Sequence, residues 1–196
     1  MSINSPDKLN FVGLSEESKL SEIRHSIVKI CMVLGIELTA SNEDTPRRIA
    51  NMYVNELFKN VSLSKEAEQA FYESLTTFPA ENKVKLPGED AAQVSIAVPF
   101  SSMCEHHWLP FYGDCYISYE PNNSILGLSK FYRIVDFFSK RPQLQERLTR
   151  DIGVCLVQVC DPISVNVNLT AEHTCMACRG VEKECNTDTT FSYRKP

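Results

Sequence analysis

The feature that most constrains this chain is a change of hydrophobic period near its middle. Before the change, Leu20, Ile23 and Ile27 begin a series at intervals of three and four residues, which is typical of an amphipathic helix. After the change, "QVSIAVPFSS" and "PFYGDCYISYEP" alternate aliphatic or aromatic residues with others, as the strands of a half-buried sheet do. Helical segments that precede alternating segments indicate an α+β protein with an antiparallel sheet.

Three helices are predicted in the first part of the chain. The first begins after Ser15 and ends at Leu34, with Gly35 as its C-cap. The second begins at "EDTPRRIANMYVNELF", where Asp44 or Thr45 can cap it and a proline suits its first turn. A third covers residues 65–75, and the proline-rich and glycine-containing segment "FPAENKVKLPGED" that follows is predicted to be a loop.

Two further helices and two further strands are predicted in the second part. In "SKFYRIVDFFSKR" the apolar residues fall at i, i+3, i+4 and i+7, and the next helix covers "RPQLQERLTRDIGVCLVQVC". The segments "ISVNVNLTAEHTC" and "CRGVEKECNTDTTFSYR" are predicted to be a strand and its partner. The expected division is therefore a flexible arm (1–14), a helical region (15–78) and a catalytic α+β domain (92–196).

Composition and charge exclude several classes of protein. No apolar run approaches the roughly 18 residues of a membrane span, and the first residues do not resemble a signal peptide. A cytoplasmic protein without membrane contact is expected, so the eight cysteines indicate metal ligation or buried thiols rather than disulfides. Cys31, Cys155 and Cys160 lie in apolar helical patterns and are expected in the core. The net charge of −5 argues against nucleic-acid binding but permits a small anionic ligand.

Two clusters of thiol and imidazole groups are the strongest functional signal. In "SSMCEHHWLPF", Cys104 and His107 have the C-x-x-H spacing that lets one turn present two ligands to one ion. In "HTCMAC", an extended chain would place His173 and Cys175 on the same face, because side chains alternate along a strand. Thiolate and imidazole ligands together favour zinc over magnesium or calcium.

The residues alone leave three interpretations of these clusters open. In a closed structural site, Cys178 would join the three ligands already named and complete a tetrahedron around Zn²⁺. In an open site, water would take the fourth position, and His106 and His173 would be free to move protons. In the third interpretation no metal binds. Cys175 and Cys178 face opposite sides of an extended strand, which favours the open site.

Several polar residues could bind an anion or a base. Ser129, Lys130 and Arg133 begin a helix, and a helix N-terminus that carries two cations is a ready anion site, although a solvated basic helix start fits equally well. Arg179 follows the second cluster and could reach the same pocket.

The first turn of the next helix carries an amide and a carboxylate. Gln145 and Glu146 lie there, and the carboxylate could accept two hydrogen bonds from the N1–H and amino edge of guanine, or it could simply stabilise the positive end of the helix dipole. The neighbouring Arg141 and Arg147 are interpreted as surface charges.

These segments resemble a known family. "CEHH", "GLSKFYRIVDFFSKRPQLQERLT" and "EHTCMACRGV" closely resemble the signature segments of GTP cyclohydrolase I, and "DTPRRIANMY" is similar to its N-terminal helix segment. The resemblance extends from Ser15 to Val181, and three ordered motifs with matching separations are highly specific.

The resemblance implies a role for each matching position. Zinc would be bound by Cys104, His107 and Cys175, while the position of Cys178 is not a ligand in the family. The catalytic imidazoles would be His106 and His173. The triphosphate and guanine of GTP would be held by Ser129, Lys130, Arg133 and Arg179, and by Gln145 and Glu146, respectively.

The resemblance also implies a reaction and an assembly. Family members are zinc hydrolases that attack GTP at C8 of guanine, release formate and rearrange the product to 7,8-dihydroneopterin triphosphate, the first step of pterin and tetrahydrofolate biosynthesis. They have the tunnelling fold, a four-stranded antiparallel sheet with two helices on one face, and form homodecamers of two pentamers with active sites between subunits. The alternatives are a tunnelling-fold module with a structural zinc, or an enzyme acting on another purine or pterin.

Overall fold

The computed structural model describes residues 13–61, 63–80 and 93–196. The predicted arm up to residue 12, and the predicted loop from residue 81 onward, lie outside the described residues. By packing, the chain divides into two compact units, Met1–Ser62 and Leu63–Pro196. The division into regions 1–14, 15–78 and 92–196 stays a prediction.

The first unit is helical. Helix α1 (Glu16–Leu34) begins after Ser15, whose hydroxyl accepts a hydrogen bond from the Ser18 N–H at 3.2 Å. It ends at Gly35, where a φ of 68° places the backbone in the left-handed region that glycine adopts without strain. Helix α2 (Thr45–Asn51) continues as a π-helical segment, Met52–Leu57. Asp44 precedes α2, but its carboxylate accepts from the Arg47 side chain at 2.6 and 2.7 Å instead of capping the helix.

The second unit contains the sheet and the remaining helices. Its helices are α3 (Lys65–Glu73), α4 (Leu128–Ser139), α5 (Gln145–Cys160) and the short α6 (Thr174–Ala177). Its strands are β1 (Thr77–Pro79), β2 (Val94–Cys104), β3 (Pro110–Glu120), β4 (Ser124–Leu126), β5 (Pro142–Gln143), β6 (Ser164–His173) and β7 (Asn186–Arg194). Among the helices of the described ranges, none combines the length and apolar character needed to cross a bilayer.

The main sheet has the strand order β5-β2-β3-β6-β7. Four long strands pair antiparallel, and β5 adds a two-residue parallel edge to β2. Strands β1 and β4 form a separate antiparallel pair. The predicted α+β class, with an antiparallel four-stranded sheet, two helices packed on it and preceding helices, is confirmed, and β5 is an addition to that prediction.

The core lies between one face of this sheet and helices α4 and α5. All four apolar positions predicted on α4 are buried: Phe131, Ile134, Val135 and Phe138. On α5 the apolar residues Leu148, Ile152 and Leu156 are buried, together with Cys155 and Cys160. Cys31, the third cysteine predicted to be buried, is buried on α1 in the first unit. Because buried apolar surface contributes about 25 cal/mol per Å², this layer stabilises the sheet that carries the site.

One glycine sets how closely α5 approaches the last strand. A Cβ built on Gly153 would lie 2.1 Å from the Phe191 ring of β7, which is far inside van der Waals contact. Only a residue without a side chain lets helix and strand meet there. This contact fixes β7 next to the first turns of α5, where one strand carbonyl contributes to the site.

Two helix starts differ from their predictions. Helix α5 begins at Gln145, because Pro142 and the following residue pair with Met103 and Cys104 of β2 as an edge strand. Helix α4 has Gly127 at its N-cap, so Ser129 lies in the first turn and does not cap it. Helix α5 thus begins later than its local pattern indicates, because residues 142–143 pair with β2, whereas α4 begins one residue before Ser129.

Candidate active site

A tight turn after β2 brings two candidate ligands together. The Cys104 carbonyl accepts hydrogen bonds from the N–H of Trp108 at 2.9 Å and of His107 at 3.4 Å. Trp108 adopts a left-handed φ of 50°, which is unusual for a residue with a side chain. The turn places Nδ1 of His107 3.7 Å from Sγ of Cys104. The C-x-x-H spacing therefore presents both donors to the same point.

The third candidate ligand comes from the end of β6. The predicted extended shape of "HTCMAC" is wrong, because β6 ends at His173 and Cys175 lies on the short helix α6. The helical turn nevertheless brings Cys175 to Cys104 and His107, with all three donor atoms within 4.8 Å of one another. The Cys178 thiol is exposed and donates to the Thr174 carbonyl at 2.7 Å. Within the described residues, the donor group that could hold a metal comprises the first three and not Cys178.

The protonation of this donor group depends on burial and on its neighbours. Burial raises the pKa of the Cys175 thiol, and the neighbouring Cys104 thiol raises it further. Arg179 acts in the opposite direction, which places its positive charge near the cluster. Two thiols and one imidazole match the ligand types that zinc binds, and a bound cation would favour their deprotonated forms.

The two histidines predicted to be catalytic lie within two residues of a candidate ligand in the sequence. Nδ1 of His106 is 3.9 Å from the Cys104 sulfur, and its exposed ring lies 6.1 Å from the ring of His107. The ring of His173 is half-buried and stacks on Phe111 at 4.8 Å with an interplanar angle of 2°. The structure thus places His106 beside Cys104, and His173 at the end of β6, two residues before Cys175.

Two residues at the start of α5, Gln145 and Glu146, affect the His173 ring. The Gln145 side chain is buried, and its Oε1 lies 2.8 Å from Nε2 of His173. Burial lowers the pKa of His173, while the negative charge of Glu146 raises it in part. Glu146 is exposed and close enough to influence the ring, so it remains available to a ligand.

An ion pair that the sequence does not indicate holds the turn that carries the candidate ligands Cys104 and His107. Arg147 donates to the Glu105 carboxylate and, through Nε, to Oε1 of Gln143 at 2.7 Å. The Glu105 N–H in turn donates to the Gln143 carbonyl at 3.1 Å. Glu105 lies between a candidate ligand and a candidate catalytic histidine, so these contacts fix the turn against α5. The partners lie far apart in sequence, and no local pattern indicates the pairing.

Arg141 is not the surface charge that the sequence suggested. Its guanidinium is half-buried and lies over the rings of Phe137 and Phe138, at 5.1 and 5.3 Å from their centroids. Burial lowers its pKa. Because Phe71 of α3 stacks on Phe137 of α4 at 3.6 Å, this cluster packs α3 against α4 within the second unit and has a structural role.

The predicted phosphate ligands of α4 lie at its first turn. Ser129 and Arg133 are exposed, and the Lys130 ammonium donates to the Ser74 carbonyl at 2.8 Å. In the described part of the chain, no hydrogen bond joins any of these three side chains to the cysteine and histidine cluster. The chain therefore presents two separate sets of candidate ligand-binding groups.

Comparisons with known proteins agree with this geometry. The family model described as GTP cyclohydrolase I matches residues 23–195. The chain is 38% identical over 168 residues to GTP cyclohydrolase 1 from Bacillus cytotoxicus. This alignment covers 84% of this chain and 81% of that protein. GTP cyclohydrolase 1 from Bacillus mycoides and from Bacillus cereus match with the same identity and coverage.

A solved structure is also similar to part of the chain. An archaeosine synthase QueF-Like in the apo form is 19% identical, covers 53% of this chain and 95% of that one, and has a TM-score of 0.41. With a family match over most of its residues and curated relatives at 38% identity, the chain belongs to the GTP cyclohydrolase I family.

Proposed function

We propose that the chain hydrolyses GTP at C8 of the guanine base, releases formate and forms 7,8-dihydroneopterin triphosphate. This is the first step of pterin and folate biosynthesis. One observation carries the proposal beyond family membership: a group of two thiols and one imidazole has His106 beside Cys104 and His173 two residues before Cys175, and neither histidine belongs to the group. Proton transfer beside a Lewis acid is what opening of a purine ring requires.

We propose zinc as the ion that Cys104, His107 and Cys175 would hold. When bound, Zn²⁺ would supply a Lewis acid that lowers the pKa of water to roughly 7. The position of Cys178 supports an open site, because its thiol hydrogen bonds to the Thr174 carbonyl on the exposed surface. A closed structural zinc would require that thiol to turn inward.

The imidazoles would divide the proton transfers. His173 has a lowered pKa and is therefore largely neutral near pH 7, so it can take a proton and return it to the imidazole-ring nitrogen of the base. His106 is exposed on the turn and would assist the later transfers during ribose opening and ring closure, together with Ser129. Both side chains lie on elements that the core and the Glu105–Arg147 pair hold in place.

The substrate would be bound by charge at both of its ends. Ser129, Lys130, Arg133 and Arg179 would hold the triphosphate, and Lys130 would exchange the Ser74 carbonyl for a phosphate oxygen. Glu146 would accept hydrogen bonds from the N1–H and amino group of guanine, which adenine does not offer.

The role of Glu146 can be tested with a nearly isosteric variant. Replacing it in Glu146→Gln should weaken the preference for GTP over ATP by about 1.5–3 kcal/mol, the range for a hydrogen bond to a charged group. The two nucleotides would be compared by kcat/KM for GTP and by competition with ATP. Unchanged discrimination would contradict this role.

We propose that the site is completed in a homodecamer of two pentamers in the cytoplasm. Among the described residues, no hydrogen bond links the α4 side chains Ser129, Lys130 and Arg133 to the cysteine and histidine cluster, which is compatible with a site shared between subunits. Self-association is also supported by the end of α1, where Met32, Val33 and Leu34 are 74%, 86% and 67% exposed. Light scattering should give a mass near ten times the 22.2 kDa of the chain, and a monomer would contradict the assembly.

The reaction itself is tested by product analysis. Zinc-loaded protein incubated with GTP should release one formate per GTP and give the absorbance and fluorescence of the pterin product after oxidation. Intact GTP after incubation with zinc-loaded protein would refute the proposed function. The same assay with other purine nucleotides distinguishes a relative that acts on a different substrate.

A further inference from the structure

The side chain of Gln145 has three polar partners around it. It is 3% exposed at the first position of α5. Its Nε2 donates to the Leu169 carbonyl at 2.9 Å and to the Thr187 carbonyl at 2.7 Å, so both of its N–H groups are used. Its Oε1 lies 2.8 Å from Nε2 of His173.

These partners determine which way the amide of Gln145 points. If the amide were rotated by 180°, its oxygen would face the carbonyl oxygens of Leu169 and Thr187, and neither could donate to it. Only one hydrogen bond, from the amide nitrogen to His173, would then replace the present three. In a buried site each acceptor left unpaired in this way costs about 1–3 kcal/mol. The oxygen therefore faces His173, and an amide oxygen can only accept. It follows that Nε2 of His173 carries the hydrogen.

The imidazole ring has a second constraint from β3. Phe111 is fully buried and stacks parallel to the ring at 4.8 Å, which fixes the plane of the imidazole. The hydrogen bond to Gln145 fixes the rotation of the ring within that plane. Together the two contacts leave one orientation and one neutral tautomer.

We propose that Gln145 is a positioning residue that holds His173 as its Nε2–H tautomer, so that Nδ1 is the nitrogen that exchanges protons with the substrate. The identity of the substrate rests on the proposed function, whereas the tautomer does not. This role replaces the guanine contact expected for Gln145, because both of its N–H groups are occupied by carbonyls in a buried site. Recognition of guanine is then left to Glu146.

The tautomer can be measured without substrate. The chain has four histidines, so solid-state ¹⁵N NMR of histidine-labelled, zinc-loaded protein at about pH 8, above the usual histidine range, gives a simple spectrum. The His173→Asn variant identifies the signals of that ring. We expect a protonated Nε2 and an unprotonated Nδ1. An Nδ1–H tautomer in the unmodified protein would overturn the proposal, and this result requires no variant of Gln145 to fold.

Kinetics separate positioning from substrate contact. The Gln145→Met variant keeps the length of the side chain but removes the acceptor, and we expect kcat to fall roughly tenfold to hundredfold with KM little changed. A raised KM, or altered discrimination between GTP and ATP at unchanged kcat, would instead support a guanine contact and refute positioning.

A control variant lies one turn along α5. The Thr149 hydroxyl hydrogen bonds to the Gln145 carbonyl at 2.8 Å and to the Thr189 hydroxyl at 2.6 Å, at the same helix–strand junction but away from His173. Thr149→Val should lower the melting temperature without changing kcat or the ¹⁵N signals of His173. If it lowers kcat as much as Gln145→Met does, the effect is structural and the proposal fails. If the unmodified protein leaves GTP intact, the proposed function fails while the tautomer result stands.

Discussion

The Glu105–Arg147 pair should control how tightly the metal-binding turn holds zinc. Arg147 donates to the Glu105 carboxylate and to Gln143, which also accepts the Glu105 N–H through its backbone carbonyl. The variants Glu105→Gln and Arg147→Met each remove one charge of the pair, and the double variant removes both. We expect each single variant to bind zinc more weakly, because the turn loses its attachment to α5.

The size of the effect follows from the exposure of the pair. The side chains of Arg147 and Glu105 are 44% and 31% exposed, so solvent screens them, and an isolated pair of this kind contributes about 0.2–1 kcal/mol. Hydrogen bonds that orient metal ligands contribute more, and their loss typically lowers metal affinity 10–100-fold. We therefore expect each single variant to lose about 1 kcal/mol, or roughly fivefold in zinc affinity. The double variant should be no weaker than either single variant, because the two residues act as one unit.

Zinc affinity is measured by competition with a chromophoric chelator, and the melting temperature is measured beside it. Arg150→Met is the matched control, because it removes an exposed cation from the same helix and should leave zinc affinity unchanged. Equal affinities in all variants would refute the reasoning. Losses that add in the double variant would show that the two side chains act independently.

Three further outcomes are expected. Gly153→Ala should lower the free energy of unfolding by about 1–3 kcal/mol, because the new Cβ would meet Phe191, and denaturant titration with unchanged stability would contradict this contact. Cys175→Ser should remove zinc measured by metal analysis while Cys178→Ser keeps it, and the opposite result would establish the closed site. Alkylation followed by mass spectrometry should label the exposed Cys178 and Cys185 in the native protein. Burial raises the pKa of the Cys115, Cys155 and Cys160 thiols to about 12, 12 and 11, respectively, so these thiols should react only after unfolding. Labelling of any of the three in the native protein would contradict this expectation.

Local periodicity predicted the helices well where one face packs on the sheet. The four apolar positions of α4 are all buried, because their spacing matches a helix and the sheet covers a single face. The start of α5 was predicted at Arg141, four residues early, since Pro142 suits a first helical turn. Pairing of residues 142–143 with β2 decides that boundary, and sequence spacing does not reveal it.

For the candidate site as well, short spacings in the sequence indicated which residues group together, whereas contacts with distant strands and turns were not indicated. Cys104 and His107 follow from a short spacing, and Cys175 was placed with them although its segment is helical and not extended. The partners of Gln145 and Arg147 come from strands and turns distant in sequence. Their roles depend on the register of β7 and on a loop, so the sequence indicated a substrate contact for one and a surface charge for the other.

The central claim is that three residues hold zinc and leave one coordination position to water beside two unligated imidazoles. X-ray absorption at the zinc edge counts these ligands directly in the zinc-loaded protein. We expect two sulfur ligands, one imidazole nitrogen and one further oxygen. A third sulfur in place of that oxygen would contradict it.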